Sequence, residues 1–327
     1  MDGDSPRPPG PLAVELLPPL PDVGPPPPAP RPPRWGLAAL LFLATLLTTT
    51  TLGAVWHRAA PGDELSWVTP ADAAAAWRDP AALRAGLSFS LPLLFILLCH
   101  EMGHYLACRR YGLPATPPCF LPAPWGLGTF GAFIRIKTPI RGKRELFDVG
   151  VAGPIAGFVA LLPFLFYGVG ASEPIALRVS DAGTPTVVLG SSLMMRGAIQ
   201  ALHPGLALEM GLDLHPFALA AWVGLLATAL NLLPLGQLDG GHILYAATGR
   251  LQRRLALPLW VALALASFLW PGWMMWCLIV LFMGLHHPPV RDEEAPLSAG
   301  RRWIALLALA LLVLCFMPVP VAVLPLE

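Results

Sequence analysis

Long apolar runs divide this chain into a series of candidate membrane helices. About 20 consecutive apolar residues are enough for a helix to cross a bilayer. Seven runs reach or approach this length, at residues 35–56, 83–108, 146–169, 217–235, 254–270, 272–286 and 302–322. The pattern therefore predicts an all-α polytopic membrane protein with about six to seven transmembrane helices.

The stretch between the second and third runs does not continue the helical pattern. Five prolines lie in residues 114–124, and proline interrupts a helix because it lacks the backbone N–H. Residues 126–137 are glycine-rich and alternate in polarity, which is typical of extended or hairpin structure. We expect a short extended or hairpin element here. Residues 170–215 are expected to form a mixed loop with a short interfacial helix around 190–202.

The N-terminal 33 residues differ from the rest in composition. They are proline-rich, and such a segment buries too little apolar surface to fold. We expect residues 1–33 to form an extended, disordered tail and residues 34–327 to form one membrane-embedded domain. A polyproline ligand for a partner domain is the alternative. Because a long polar stretch precedes the first apolar run, that run is expected to stay as an anchor rather than act as a signal peptide.

Composition supports the membrane assignment and excludes one class of partner. The mean hydropathy is +0.63, and 13% of the residues are charged, against about 25% in soluble domains. The net charge of +1 gives no support for nucleic-acid binding. The five cysteines form no CxxC pair, which favours reduced thiols. Lys137 and Lys143 are the only lysines among 21 basic residues, and this arginine excess suggests a bacterial inner membrane.

Basic residues indicate the orientation of the predicted helices. Loops on the cytoplasmic side of a membrane carry an excess of Lys and Arg. The basic clusters lie around residues 31–34, 109–144, 250–254 and 291–302, and all four fall on one side if the spans are as predicted. That side is therefore expected to be cytoplasmic. The end of the second run would lie near the cytoplasmic face.

The second apolar run contains three ionisable side chains, His100, Glu101 and His104. Such groups are costly in a membrane and are a functional hypothesis by default. Two histidines four residues apart on a helix differ by about 40° around its axis, so both rings point to one side. That spacing suits a zinc ion, and Glu101 can act on water as a general base. The alternatives are histidines satisfied inside a helix bundle and a glutamate paired with an arginine.

A catalytic zinc ion usually takes three protein ligands, so a third donor is needed at the same depth. Asp239 is the best candidate, because it lies at the end of the fourth run and shortly before Arg250. Pro234 interrupts the helix there, and Gly236 and Gly240–Gly241 permit unusual backbone dihedrals. An unwound segment that lines a cavity is a tolerated place for a carboxylate at membrane depth. A helix cap or an ion pair with Arg250 is the alternative.

In two paired motifs the chain resembles the site-2 protease family of intramembrane zinc metalloproteases: His100-Glu-Met-Gly-His104 and Asn231-Leu-Leu-Pro-Leu-Gly-Gln-Leu-Asp239-Gly. The resemblance implies that one Zn²⁺ per chain is bound by His100, His104 and Asp239. It also implies that Glu101 activates water and that Asn231 helps to hold the substrate backbone or the oxyanion. A hydrogen bond between helices is the alternative role for Asn231.

The resemblance covers about residues 85–250, the expected catalytic core. Residues 128–132 and 150–157 are similar to the branch that includes the plant chloroplast members. The loop at 170–215 is too short to hold a PDZ domain, so the branch without that domain is implied. Residues 128–132 either present a backbone edge to an extended substrate or fold over the site as a loop. The pair Gly153 and Gly157 fits close helix packing.

The sequence as a whole predicts a zinc metalloendopeptidase that cuts in or near the transmembrane helices of membrane-protein substrates. Its surroundings would be the lipid bilayer, and self-association into a homo-oligomer stays open. The alternative is a metal-binding transporter or sensor without hydrolysis. Glu101 separates the two, because a transporter needs ligands but no general base. His242 is assigned no single role: it could orient Asp239, cap a helix or act as a fourth ligand.

Overall fold

The computed structural model describes residues 34–58, 68–176, 186–206, 210–290, 292 and 296–324. In these residues the chain is mostly helical, with three small sheets. The helices are α1 (Trp35–Arg58), α2 (Pro70–Trp77), α3 (Pro80–Arg110), α4 (Lys143–Gly170), α5 (Leu193–Leu202), α6 (Pro216–Leu232), α7 (Asp239–Thr248), α8 (Arg250–Ala266), α9 (Gly272–Met283) and α10 (Ala299–Cys315). The strands are β1 (Cys119–Pro122), β2 (Thr129–Phe133), β3 (Glu173–Ala176), β4 (Thr186–Leu189), β5 (Met210–Asp213) and β6 (Val321–Leu324). The tail predicted for residues 1–33 lies outside the described residues.

Three helices of the described chain are long and apolar enough to cross a membrane, namely α1, α3 and α4. They correspond to the first three apolar runs. The apolar helices α6 and α9 are shorter, at 17 and 12 residues. The mostly helical membrane architecture is thus confirmed, whereas the count of six to seven spans stays a prediction.

Helix α3 is longer than its apolar run because its ends are stabilised by polar residues. The Asp79 side chain accepts hydrogen bonds from the N–H groups of Ala81 and Ala82, and Pro80 occupies the first turn. Both features favour a helix start, since the first N–H groups have no partner inside the helix. Arg109 and Arg110 lie in the last turn, where positive charge is favourable.

The core that holds α3 in place lies between α3, α4 and α6. Phe89 and Leu93 of α3 belong to one buried cluster with Leu161 and Leu165 of α4 and Trp222 of α6. Closer to the C-terminal end of α3, the backbones of α3 and α4 approach closely: a Cβ at Gly103 would lie 2.4 Å from the Ala152 carbonyl oxygen. The central three helices therefore have a fixed mutual position along the segment that carries the polar motif.

Two helices end before the apolar run that contains them does, and for α6 the end agrees with the predicted interruption at Pro234. Helix α6 ends at Leu232 rather than at residue 235, because Leu233 adopts extended geometry before Pro234 (ψ 127°). Helix α10 ends at Cys315 rather than at residue 322, and Pro318 and Pro320 lie in the segment beyond it. In both cases hydropathy continues past the point where proline ends the helical hydrogen bonding. The predicted span at 254–270 corresponds to α8, which has the same length but begins four residues earlier, and the predicted span at 272–286 corresponds to the shorter α9.

The predicted hairpin is present as the antiparallel pair β1–β2, with Phe120 opposite Ala132. The expected short helix around residues 190–202 is present as α5, which starts after a Ser192 side-chain cap. Two further sheets were not expected. Strand β3 pairs with β5, and β4 pairs with β6 near the end of the described chain.

Candidate metal centre

The three predicted metal ligands meet at one point. His100 and His104 lie one turn apart on α3, and Asp239 is the first residue of α7. The two Nε2 atoms are 3.1 Å apart, and each is 3.2 Å from Asp239 Oδ2. Both histidines are buried. The structure thus places Asp239 beside the histidine pair, and that the three residues bind a metal ion stays a prediction.

Asp239 reaches this point because the chain reverses tightly between α6 and α7. Gly236 makes the turn with a φ of +52°, a conformation that favours glycine. A Cβ at Gly240 would lie 2.0 Å from the Leu232 carbonyl oxygen, and one at Gly241 would lie 2.4 Å from the Gly236 carbonyl oxygen. The freedom that Gly240 and Gly241 offer for unusual dihedrals is not used, because neither has a positive φ. They lie in the first turn of α7, and they must be glycine because two backbones touch there.

Helix α4 forms the wall against which the two histidines pack. A Cβ at Gly153 would lie 2.1 Å from His104 Nε2, and a Cβ at Gly157 would lie 3.1 Å from His100 Cβ. The packing interpretation of this glycine pair is confirmed. Its packing partners are the two imidazole rings.

The orientation of His104 is fixed by the backbone of α4. Its Nδ1 lies 2.7 Å from the Val149 carbonyl oxygen, which can only accept, so Nδ1 carries the proton. In the neutral ring Nε2 is then a bare acceptor. It faces Asp239 Oδ2 and His100 Nε2, and acceptors at this spacing are best satisfied by a cation between them.

The donor triangle fits a zinc ion. A tetrahedral zinc ion with bonds of about 2.0–2.1 Å separates two ligand atoms by about 3.3–3.4 Å. The three edges of 3.1–3.2 Å are close to this value. In the described part of the chain this is the only group of three His, Cys, Asp or Glu side chains whose donor atoms lie within 4.8 Å of one another. Two imidazoles and one carboxylate also match the ligand chemistry of catalytic zinc.

Glu101 and Asn231 both border the triangle. Glu101 follows His100 on α3 and is buried, and its carboxylate faces the backbone N–H of Ile134 just after β2. Asn231 lies in the last turn of α6, and its Nδ2 is 3.3 Å from His100 Nε2. The structure thus brings all five predicted site residues together, while their roles as metal ligands, general base and substrate contact stay predictions.

The β1–β2 hairpin lies between α1 and the site. Thr48 of α1 donates its hydroxyl to the Gly128 carbonyl at 2.7 Å, and Phe42 meets Phe120 edge to face at 5.1 Å. On its other side the hairpin reaches Glu101 through the segment at Ile134. These contacts agree with an element folded over the site. That the hairpin presents an edge to a substrate strand stays a prediction.

His242 takes part in a second histidine pair next to the site. Its Nδ1 is 2.8 Å from His287 Nε2, and His287 Nδ1 donates to the Pro288 carbonyl at 2.6 Å. His287 also stacks on Tyr245, with ring centroids 4.4 Å apart. His287 is buried. No sequence signal linked residues 242 and 287, because they are 45 positions apart.

A His-His-Asp triangle with two buried histidines and a partly buried aspartate, beside a glutamate, is the donor arrangement of a zinc hydrolase. Residues 88–267 match Peptidase family M50, and the chain belongs to this family. It is the site-2 protease family, so the resemblance read from the two motifs is confirmed.

Curated relatives agree with this assignment. The chain is 29% identical over 304 residues to "Probable zinc metalloprotease EGY1, chloroplastic" of Oryza sativa subsp. japonica, covering 87% of this chain and 50% of that protein. It is 31% identical over 260 residues to "Probable zinc metalloprotease EGY2, chloroplastic" of Arabidopsis thaliana, covering 77% and 45%. The chain therefore spans about half the length of these relatives. No solved structure gives a significant match.

Proposed function

We propose that this chain is an intramembrane zinc metalloprotease that hydrolyses peptide bonds in or near the transmembrane segments of membrane proteins. One observation carries the proposal: a zinc-type donor triangle with a glutamate beside it lies at a helix long and apolar enough to cross a bilayer. Family membership supports the same activity. A transporter or sensor without hydrolysis is not favoured, because it has no use for the general base.

In this proposal His100, His104 and Asp239 hold one Zn²⁺. When bound, zinc polarises a carbonyl group and lowers the pKa of water towards neutrality. Glu101 accepts the proton of the attacking water and later delivers it to the amine nitrogen of the leaving fragment. The Asn231 side-chain N–H groups are well placed to donate to the substrate backbone or to the developing oxyanion.

The substrate must reach this site in an extended conformation. Carbonyl groups within a transmembrane helix are already hydrogen-bonded, so the segment to be cut has to unwind locally. The hairpin next to Glu101 supplies backbone groups that an unwound strand could pair with. The proposed substrate class is therefore a membrane protein with a transmembrane helix that unwinds readily.

The proposal includes a membrane topology. We place six to seven helices in the bilayer, with the basic ends of α3 and α4 on the cytoplasmic side. The shorter apolar helices α6 and α9 and the arginine-bearing α10 support this count. In this layout residues 34–327 form the protease domain, with a catalytic core at about 85–250 and a tail at 1–33. The placement in a bacterial inner membrane rests on the arginine-rich composition.

Replacing the proposed general base tests the function directly. Glu101→Gln in the full chain should reduce cleavage of a reconstituted transmembrane substrate by at least about a hundredfold, because general acid–base catalysis contributes about 10²–10⁴-fold. Zinc content should stay unchanged. Glu145→Gln is a matched control, since Glu145 lies in the first turn of α4 and accepts from the Arg141 N–H at the surface. Undiminished cleavage by a zinc-loaded Glu101→Gln variant would refute the assignment.

A further inference from the structure

Three polar side chains from three separate helices meet outside the metal site. Arg301 of α10 donates from Nε to Asp148 Oδ1 at 2.8 Å and from Nη2 to Asp148 Oδ2 at 2.6 Å. Tyr111, the C-terminal cap of α3, donates its hydroxyl to the same carboxylate. We call these three residues the Asp148 network. It ties the C-terminal end of α3 and the first turn of α10 to the N-terminal part of α4.

The Asp148 network is directly connected to the His104 contact. Asp148 precedes Val149, whose carbonyl oxygen accepts the Nδ1 proton of His104 at 2.7 Å. Tyr111 follows His104 by two turns of helix at the end of α3. The network therefore joins the same two helices that the His104–Val149 hydrogen bond joins, and it does so through the adjacent residue of α4.

The metal site tolerates little movement of α4 along α3. A shift by one residue corresponds to about 1.5 Å along the axis and a rotation of about 100°. It would replace Gly153 by a residue with a side chain, although even a Cβ there would lie 2.1 Å from His104 Nε2. It would also remove the Val149 carbonyl from His104 Nδ1. A device that fixes the position of α4 would consequently control the geometry of the donor triangle.

The Asp148 network has the chemistry for such a device. A bidentate arginine–carboxylate pair constrains both distance and orientation, which a lysine cannot reproduce. The side chains of Arg301 and Asp148 are only 26% and 28% exposed, so solvent screens this pair less than an exposed pair. The Arg58–Asp79 pair, at 42% and 32%, is more exposed and makes a single contact.

We propose that Tyr111, Asp148 and Arg301 are positioning residues for the metal centre, acting through the Val149 carbonyl on His104. The inference rests on the proposed function, because it assumes that His104 is a metal ligand. It predicts that loss of the network weakens Zn²⁺ binding even in protein that stays folded.

The test measures Zn²⁺ affinity of the full-length chain in detergent, by competition with a chromophoric chelator. Partners that orient a ligand typically change metal affinity 10–100-fold, so Arg301→Met should weaken binding by about tenfold. Arg301→Lys should recover only part of the loss. Arg302→Met is the matched control, because Arg302 is the next residue of α10 and donates from Nε to the Leu297 carbonyl instead. It should leave the affinity unchanged.

Two milder variants keep the inference open to refutation if Arg301→Met does not fold. Tyr111→Phe and Asp148→Asn each remove one part of the network and should weaken Zn²⁺ binding by a few fold. The double variant Tyr111→Phe/Arg301→Met should lose less Zn²⁺-binding free energy than the sum of the losses in the two single variants, since both residues act on Asp148. If the variants bind Zn²⁺ like the wild type and only their unfolding temperature falls, the network is merely structural and the inference is wrong. A wild-type chain that binds no Zn²⁺ would instead overturn the proposed function.

Discussion

Alanine at position 153 is expected to disable the metal centre while leaving α4 helical. The Cβ of such an alanine would lie 2.1 Å from His104 Nε2 and 2.5 Å from Cδ2 and Cε1. Optimal non-bonded separations between carbon atoms are about 3.5–4.0 Å, so the imidazole would have to retreat by more than about 1 Å. Metal–ligand distances tolerate about 0.2 Å. His104 would therefore leave the donor triangle.

The size of the effect follows from the loss of one of three protein ligands. Disturbing only an orienting partner of a ligand costs about 10–100-fold in metal affinity, so loss of the ligand itself should cost at least about 100-fold. Intrinsic helix preference changes in the opposite direction. Alanine is more favourable than glycine by about 0.8–1.0 kcal/mol in a helix interior. A drop in affinity thus cannot be attributed to a weaker helix.

Two other glycines serve as graded controls. A Cβ at Gly157 would lie 3.1 Å from His100 Cβ, a contact that a shift of a few tenths of an ångström relieves. Gly157→Ala should therefore weaken Zn²⁺ binding only partly. Gly197 of α5 has nothing within 4 Å of its added Cβ, so Gly197→Ala should leave binding unchanged.

The assay compares the three variants as purified full-length chains in detergent. Zn²⁺ affinity is measured by chelator competition, and the thermal unfolding midpoint of the zinc-free protein reports the fold. We expect the Zn²⁺ affinity to be highest in Gly197→Ala, lower in Gly157→Ala and lowest in Gly153→Ala. The thermal unfolding midpoints of the three variants should be similar. A Gly153→Ala variant that binds Zn²⁺ within about twofold of the wild type would refute the packing argument.

Removal of the metal should stop cleavage of a reconstituted substrate. It should also lower the thermal unfolding midpoint, because an ion that binds only the folded state stabilises that state. Added Zn²⁺ should restore both readouts, and cleavage that persists in zinc-free protein would contradict the proposed function. Acid should weaken the start of α3: the N–H groups of Ala82 and Ala81 hold the pKa of Asp79 below its usual value of 3.8. A lowered folded-state pKa contributes stability above the unfolded value and loses it as the pH falls through the folded value. At pH values below 3.8, the thermal unfolding midpoint of the wild type should therefore decrease, and that of Asp79→Asn should decrease less. Equal decreases in the two proteins would contradict the capping role.

The donor set could be predicted because its residues carry a local signal. His100 and His104 repeat at helical spacing, and Asp239 follows a proline and a glycine that interrupt an apolar run. Prolines and alternating polarity likewise predicted the hairpin. Each of these features depends on a short stretch of sequence, and the residues of that stretch determine its backbone conformation.

The features that could not be predicted depend on contacts between distant residues. Val149 acts through its backbone carbonyl, which every residue type possesses, so nothing in the sequence marks it. Asp148 and Arg301 are 153 positions apart, and either could have been a solvated surface charge. Strand β4 pairs with β6 across a similar separation. The early end of α10 was missed for a different reason, since the apolar run continues past Pro318 and Pro320. For α6 the interruption at Pro234 was predicted, although the apolar run continues to residue 235.

The separation between the histidine pair and Asp239 also bears on how the protein is made. His100 and Asp239 are 139 residues apart, and both histidines are synthesised before Asp239. Since a chain emerges from the ribosome N-terminus first, α3 enters the membrane before α7 exists. During that interval the nascent chain has two metal donors and a glutamate but not the third donor. In the proposed function, hydrolytic competence would therefore arise only once α7 has been made, and a chain arrested before α7 would lack one of the three proposed metal ligands.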